Sequence, residues 1–180
     1  MLATFFNFTP YPYQERILRD ESKRIVACAG RQVGKTTITA LKAIHFAFTN
    51  PRKTILIVSP SLRQSIIMFD RILDFVELNP LIKKQVTRKT RTLVHFKNGS
   101  RIIALPCGPE GRTLRGHTCD MIILDEANFV PDQVLASVII PMIATTDGYL
   151  VMLSTPWTRD SYFYRAFTNP AYSSYHFPSS

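Results

Sequence analysis

A glycine-rich stretch near the amino terminus has the residue types that bind phosphate. Residues 30–36 read G-R-Q-V-G-K-T, between a predicted strand and a predicted helix; they match the pattern G-x-x-x-x-G-K-T except that three residues instead of four separate the glycines. In such a loop the backbone N–H groups converge on a phosphate, and the positive end of the helix adds to the attraction. The ammonium group of Lys35 can reach the β- and γ-phosphates of a nucleotide, and the Thr36 hydroxyl can bind Mg²⁺. The predicted phosphate-binding residues are Gly30, Arg31, Gln32, Val33, Gly34, Lys35, Thr36 and Thr37.

Two carboxylates follow a second apolar run, M-I-I-L at residues 121–124. Ligands of open α/β sheets bind at the carboxyl ends of the strands, which is where Asp125 and Glu126 are expected. Asp125 is predicted to hold Mg²⁺, and Glu126 is predicted to polarise an attacking water as a general base. An apolar run followed by these two acids is a weak signal alone. Together with the phosphate loop it predicts hydrolysis of a nucleoside triphosphate.

Two shorter stretches are candidate parts of the same site. Ser154 and Thr155 end a predicted strand, where a hydroxyl could bind the γ-phosphate or the attacking water, although Ser-Thr before proline is also a common strand exit. Upstream of the phosphate loop, the amide of Gln14 offers a donor and an acceptor that match the edge of adenine. Tyr11 beside it could stack on the base, but simple packing of an N-terminal helix explains the tyrosines equally well.

The elements that must position these residues alternate along the chain. Apolar runs predict strands at residues 24–29, 54–59, 121–124, 149–153 and 174–177. Helical spacing predicts helices at 35–48, 61–76, 131–143 and 161–167, with Ser61 as an N-cap and Ile67 among the inward residues of the second. Strands separated by helices predict an α/β fold with a mainly parallel sheet and helices on both faces. Asn98-Gly99 predicts a β-hairpin added to that sheet, with positive φ at both turn residues.

Composition and charge limit the function classes. The chain has 180 residues, of which 46% are hydrophobic, and its net charge is +9. These values fit one globular domain, and the sequence offers neither a membrane span nor a C-x-x-C pair, so we expect no membrane partner and a reducing cytoplasm. Residues 78–109 contain no acid, and their cations suit a polyanion on one face, although a solvated surface has the same pattern. Those cations are Lys83, Lys84, Arg88, Lys89, Arg91, Lys97 and Arg101.

Six short stretches, in chain order, resemble the ATPase domain of the large terminase subunit of tailed bacteriophages. They are Y-P-Y-Q at 11–14, G-R-Q-V-G-K-T at 30–36, V-S-P-S at 58–61, L-R-G at 114–116, I-L-D-E-A at 123–127 and L-S-T-P at 153–156. The resemblance implies a P-loop NTPase fold of the RecA/ASCE-like type. It implies an ATPase that uses ATP and Mg²⁺ to package double-stranded viral DNA into a procapsid in the host cytoplasm. Implied partners are double-stranded DNA, other copies of the chain in a ring, the portal and the small terminase subunit.

The resemblance also implies roles for individual arginines. Arg31 would act on the phosphates within its own chain. Arg115 would be the finger inserted into a neighbouring subunit's site, with Arg112 as its rival for that role. Thr155 would belong to the motif that couples hydrolysis to movement, and Gln14 would read adenine.

Two alternatives stay open, and so does the extent of the parent protein. A helicase-like nucleic-acid-dependent ATPase would need a second RecA-like domain, and a DNA-binding module with a bound nucleotide but no turnover would need no base at Glu126. Large terminases also carry a Mg²⁺-dependent nuclease domain of RNase H-like fold. Because its acidic cluster is not found after Glu126, residues 1–180 are expected to be a single ATPase domain without the nuclease.

Overall fold

A computed structural model of the chain describes residues 9–30, 34–155 and 161–177. Its strands are β1 (Arg24–Ala29), β2 (Thr54–Ser59), β3 (Val86–Lys89), β4 (Leu93–Phe96), β5 (Arg101–Pro106), β6 (Met121–Leu124), β7 (Tyr149–Ser154) and β8 (Ser173–Phe177). Its helices are α1 (Pro12–Arg19), α2 (Lys35–Thr49), α3 (Leu62–Leu78), α4 (Pro80–Lys84), α5 (Asp132–Val134), α6 (Ile140–Thr146) and α7 (Tyr162–Thr168). A 3₁₀ turn (Ala127–Phe129) precedes α5, and a π turn (Leu135–Ile139) joins α5 to α6.

The strands pair in the order β3-β4-β5-β2-β6-β7-β1-β8. In this order, the five neighbouring pairs β5-β2, β2-β6, β6-β7, β7-β1 and β1-β8 are parallel. Among the strands of the described residues, only the pairs β3-β4 and β4-β5 are antiparallel. The prediction of a mainly parallel α/β sheet is therefore confirmed. Strand β7 lies between β1 and β6, so the strand that precedes the phosphate loop is not a direct neighbour of the strand that precedes Asp125.

Alternate residues of each strand enter two separate cores, one on each face of the sheet. On the first face Ile57 and Ile123 pack with residues of α2 and α3, such as Leu41 and Phe69. On the second face Val58 and other strand residues pack with the segment around the π turn and with α7. The prediction of helices on both faces is confirmed, and both faces being buried explains why the central strands are apolar throughout.

Strands β4 and β5 form the predicted hairpin, but the predicted turn is wrong. The loop has three residues, closed by Phe96 N–H donating to Ser100 O (2.8 Å), and within it only Gly99 has a positive φ, of 88°. The side chain of Asn98, rather than its backbone conformation, stabilises the turn. Its Nδ2 donates to Ala47 O at the end of α2 (2.8 Å), and its Oδ1 accepts from Ser100 N–H (2.9 Å).

Helix α3 shows one correct and one wrong prediction. Ser61 is the N-cap, and its hydroxyl accepts from Gln64 N–H (3.4 Å). Ile67, predicted to point inward, is 59% exposed. The buried stripe is instead completed by Ser65, which is fully buried and donates its hydroxyl to Leu105 O (2.9 Å). Ser65 can occupy a core position because its hydroxyl is hydrogen-bonded, and the spacing of apolar residues alone does not reveal such a position.

The cations of residues 78–109 do not lie on one face, contrary to the expectation. Lys83 and Lys89 pair with Glu77, the residue just before this segment, at the end of α3; the Lys83 distance is 2.9 Å. Arg88 and Arg101 are exposed and flank His95 in register across β3, β4 and β5. Val94 is buried in the core that contains residues of α3, and successive residues of a strand point to opposite faces. His95 and the two arginines paired across from it therefore lie on the sheet face opposite α3.

No helix in the part of the chain that the structure describes is long and apolar enough to cross a membrane.

Candidate active site

Four strand ends meet at one edge of the sheet and bring the predicted residues together. Because β1, β7, β6 and β2 run parallel, Gly30, Thr155, Asp125 and Ser59 follow or end neighbouring strands at the same edge. Helix α2 begins at this edge with Lys35. The described ends of the phosphate loop, the two acids and the Ser154-Thr155 stretch, which are far apart in sequence, therefore lie along one edge of the sheet.

The described part of the phosphate loop has the backbone that the motif requires. Gly34 is the N-cap of α2 with φ 73°, a left-handed conformation that favours glycine. A Cβ at this position would lie 2.3 Å from Gln14 Nε2, so a larger residue would also collide with α1. Arg31, Gln32 and Val33 lie outside the described residues.

The first turn of α2 carries positive charge that can attract an anion. It contains no acidic residue, so the partial positive charge of the helix N-terminus is not neutralised within the helix. Lys35, Thr36 and Thr37 are all partly buried there. The Lys35 ammonium donates to Ala29 O (3.2 Å), a backbone contact that a phosphate oxygen can replace.

Asp125 is a carboxylate that lacks sufficient positive charge around it. Burial, followed by the charge of the neighbouring Glu126, raises its pKa to about 6, although the Glu126 N–H and Lys35 act in the opposite direction. A desolvated acid with a like charge beside it is typical of a functional site. Asp125 and the hydroxyl of Thr36 supply hard oxygen ligands of the kind that Mg²⁺ takes in nucleotide sites. Within the described ranges no three His, Cys, Asp or Glu side chains cluster around a metal position.

Glu126 sits on a strained turn. Its φ of 50° and ψ of 45° are left-handed, which costs a residue with a Cβ roughly 1–2 kcal/mol. The turn directs the Glu126 N–H to Asp125 Oδ1 (2.9 Å) and starts the 3₁₀ turn through Phe129 N–H to Glu126 O (2.9 Å). One backbone bend thus positions the Asp125 carboxylate and the backbone of Glu126, and strain of this kind concentrates at functional sites.

Asn128 is a site residue that the sequence analysis missed. Its backbone N–H donates to Ser154 Oγ (3.4 Å), and its side-chain Nδ2 donates to Thr155 O (2.6 Å). Asn128 therefore ties the turn that carries the two acids to the end of β7. The only sequence signal was a polar residue inside an otherwise apolar 3₁₀ segment.

Of the two predicted base-binding residues, Gln14 lies beside Gly34 at the start of α2. Gln14 is 4% exposed; its Oε1 accepts from Tyr11 N–H (2.9 Å), and its Nε2 lies beside Gly34. Tyr11 is 66% exposed and stacks on Tyr13 with ring centroids 5.8 Å apart. An exposed ring held parallel to another ring is a suitable surface for a nucleobase.

Arg115 lies away from this site. It is exposed and lines a groove with His117, Pro141 and Thr145, whereas Lys35 lines a separate cavity with Gln14. Arg112, its rival, is held by Glu110 through an ion pair of 2.6 Å. Arg115 forms no ion pair with any carboxylate in the described part of the chain, so its charge remains available to a partner.

Comparison with known proteins decides the family. The family model described as "Terminase large subunit, T4likevirus-type, N-terminal" matches residues 26–174. This chain belongs to the terminase large subunit family. The terminase large subunit of Thermus phage G20c is 32% identical over an alignment of 165 residues, gaps included, that covers 83% of this chain and 34% of that protein. The chain thus spans about a third of the length of the curated relatives that it matches.

Solved structures agree with this assignment. The large terminase ATPase domain of Thermus phage P74-26 is 28% identical with a TM-score of 0.86, covering 99% of this chain and 84% of that one. A large terminase from a thermophilic bacteriophage, solved in complex with ADP, shares the fold at 12% identity and a TM-score of 0.75, over 92% of this chain and 45% of that one. The resemblance inferred from the terminase motifs and the predicted P-loop NTPase fold are both confirmed.

Replacing Asp125 with asparagine should stabilise the ligand-free terminase domain at neutral pH. Because the pKa of Asp125 in the folded chain is raised to about 6, the folded chain binds the proton more tightly than the unfolded chain. The free energy of unfolding of the wild type therefore falls as pH rises from about 4 to about 6. Asparagine resembles the protonated acid, so the gain is about 1–3 kcal/mol above pH 6 and is lost towards pH 4.

Urea unfolding of both proteins from pH 4 to pH 7 measures this difference. The control is Asp74→Asn on the exposed side of α3, which should change stability by less than about 0.5 kcal/mol. An Asp125→Asn protein no more stable than the wild type at pH 7 would contradict the description of Asp125 as an undercompensated acid.

Proposed function

We propose that this terminase domain hydrolyses ATP with Mg²⁺ and that the hydrolysis drives packaging of double-stranded viral DNA into a procapsid. The observation that supports it best is that two features lie at the same edge of the sheet. One is the start of α2, which carries Lys35 and no acidic residue, and the other is the pair of acids Asp125 and Glu126. Positive charge for phosphates and an undercompensated acid for a cation are the two halves of a Mg-nucleotide site. Family membership favours this motor function over a helicase or a module without turnover.

Each half of the site has chemistry that fits its part of Mg-ATP. Lys35 and the N–H groups at the start of α2 would bind the phosphates. Thr36 and Asp125 would hold Mg²⁺, whose charge, when bound, offsets that of the β- and γ-phosphates. Gln14 would donate to the base and Tyr11 would stack on it. Arg31, next to the loop glycine, would add a further positive charge on the phosphates.

Glu126 is the residue proposed to act on the attacking water. Its carboxylate would orient the water and accept its proton as the bond to the γ-phosphorus forms. The hydrogen bonds of Asn128 link this turn to Ser154 and Thr155. A change at the γ-phosphate would therefore be transmitted to β7, which is how Thr155 would couple hydrolysis to movement.

Arg115 is proposed to act on the site of a neighbouring copy. It is exposed, has no ion-pair partner among the described residues and does not line the cavity of Lys35. Gly116 beside it has φ 88°, and a Cβ there would meet no described atom within 4 Å, so the turn is open to a neighbour. On the basis of family membership, the proposal also includes a ring of copies of the chain. The portal and the small terminase subunit would be its further partners in the host cytoplasm.

Glu126→Gln should bind Mg-ATP and fail to hydrolyse it. The amide keeps the shape of the side chain but cannot accept a proton, so turnover should fall at least about 100-fold while affinity changes little. Lys35→Ala is the matched comparison, because it should lose binding as well as turnover. Steady-state phosphate release and nucleotide titration measure both quantities, and wild-type turnover in Glu126→Gln would exclude Glu126 as the base.

The specific activity of the wild type should rise with protein concentration, because Arg115 serves only an associated copy. Arg115→Ala should show no such rise, since an arginine finger contributes roughly 10³–10⁵ in rate in well-studied systems. Mixing Arg115→Ala with Glu126→Gln should restore part of the activity at interfaces that pair an intact Arg115 with an intact Glu126. Arg112→Ala is the control. Absence of recovery in the mixture would rule out the role in a neighbour's site.

Double-stranded DNA is proposed to contact the row of Arg88 and Arg101 rather than the Glu77-paired lysines. The two arginines are exposed and have no ion-pair partner among the described residues, and Arg101 Nε is oriented by Thr54 Oγ1 (3.2 Å). A cation already paired with a carboxylate gains less from a phosphate, because the existing pair must break first.

Charge-matched variants test this surface. Arg88→Gln with Arg101→Gln should reduce the slope of log affinity against log salt by up to about 2, because each phosphate contact contributes nearly one unit. Lys83→Gln with Lys89→Gln removes the same charge and should change the slope less. Equal changes in both double variants would mean that only net charge matters.

A further inference from the structure

The hydroxyl of Ser59 is a buried polar group with no role in the site described so far. Ser59 is the last residue of β2 and is 0% exposed, and its Oγ has no hydrogen-bond partner in the described part of the chain. Leaving a buried hydroxyl unpaired has a cost, and such groups in native structures point to strain, to a function or to a bound water or ion. Ser65 nearby shows the ordinary case, because its buried hydroxyl donates to Leu105 O (2.9 Å).

Strand register places Ser59 beside Asp125. Strands β2 and β6 pair in parallel with Ile57 opposite Ile123 and Val58 opposite Leu124, so the next residues on the two strands are Ser59 and Asp125. The contact continues past the last pair, since Asp125 N–H donates to Val58 O (2.8 Å). The unpaired hydroxyl of Ser59 therefore lies on the strand position next to Asp125.

The face of the sheet agrees with this placement. Ile57 and Ile123 both belong to the core against α2 and α3, and side chains two residues further along parallel strands point to the same face. Asp125 follows Ile123 by two residues, so it continues the alternation on that face, and the charge of Lys35 at the start of α2 acts on it. Ser59, Asp125 and the first turn of α2 thus share one side of the sheet edge.

We propose that Ser59 is a positioning residue for the metal, whose hydroxyl hydrogen-bonds a water ligand of the Mg²⁺ held by Asp125. This inference rests on the proposed function. Mg²⁺ keeps several of its waters in nucleotide sites, and those waters need acceptors or donors in the protein. Ser59 would supply one from β2, so that Asp125 has polar side chains at the ends of both neighbouring strands.

The role has a signature that a structural serine would not have. Ser59→Ala removes an unsatisfied hydroxyl, so the ligand-free chain should unfold at an unchanged or higher temperature. The same change removes a bond to the metal's hydration shell, so ADP affinity measured with Mg²⁺ should fall about tenfold. Affinity for ADP measured in EDTA should stay the same, because the hydroxyl touches no phosphate.

The control is Ser65→Ala, which should show the opposite behaviour. It breaks a satisfied buried hydrogen bond, so its ligand-free melting temperature should fall while the Mg²⁺-dependent gain in ADP affinity is unchanged. Ser59→Cys repeats the test with a side chain of similar size and weak hydrogen bonding, and should lose the gain as Ser59→Ala does.

Two outcomes separate this inference from the proposed function. If the wild type gains affinity with Mg²⁺ and both Ser59 variants gain as much, Ser59 is not a positioning residue and the nucleotide site stands. If the wild type shows no Mg²⁺-dependent ADP binding, the proposed function fails and this inference fails with it. A lowered melting temperature of Ser59→Ala with an unchanged Mg²⁺ gain would assign Ser59 to the fold alone.

Discussion

The parallel pairing of β1, β7, β6 and β2 is the constraint on which the rest of this terminase domain depends. Parallel strands all end at the same edge, so the phosphate loop, the two acids and the Ser154-Thr155 stretch must meet there. The crossover helices that such pairing requires bury both faces of the sheet. This leaves the polar groups at the strand ends as the place where the chain can bind a charged ligand.

The same edge carries charges that the chain alone does not balance. The start of α2 has Lys35 and no acid, while Asp125 is desolvated beside Glu126 and keeps a raised pKa. The left-handed turn at Glu126 and the hydrogen bonds of Asn128 connect the two acids to the end of β7. A ligand with both phosphates and a cation would satisfy the two imbalances together, which is the physical reason to infer Mg-ATP.

The surfaces proposed to contact partners are separated from this edge. Arg115 projects from the segment between β5 and β6 over the groove beside α6, and the row of Arg88 and Arg101 lies on the open face of the hairpin. Both sets of arginines lack ion-pair partners among the described residues, whereas Lys83, Lys89 and Arg112 have local ones. Local pairing therefore distinguishes cations that are engaged within the chain from those proposed to contact another molecule.

The sequence by itself determined the alternation of strands and helices, the phosphate loop, the two acids and the family. These features are local: an apolar run, a helical period or a motif such as G-R-Q-V-G-K-T is complete within a short stretch. It also located the hairpin, since Asn98-Gly99 is a local signal, although the turn has three residues and Asn98 serves the end of α2.

Only the tertiary structure decided what depends on strands distant in sequence. The insertion of β7 between β1 and β6, the contact of Asn128 with Thr155 and the register that sets Ser59 beside Asp125 are all products of pairing. The division of the basic segment by Glu77 arises in the same way, because an acid outside the segment in sequence lies next to it in space. Pairing energies act between residues that no local pattern connects, so neighbours across the sheet appear only once the chain is folded.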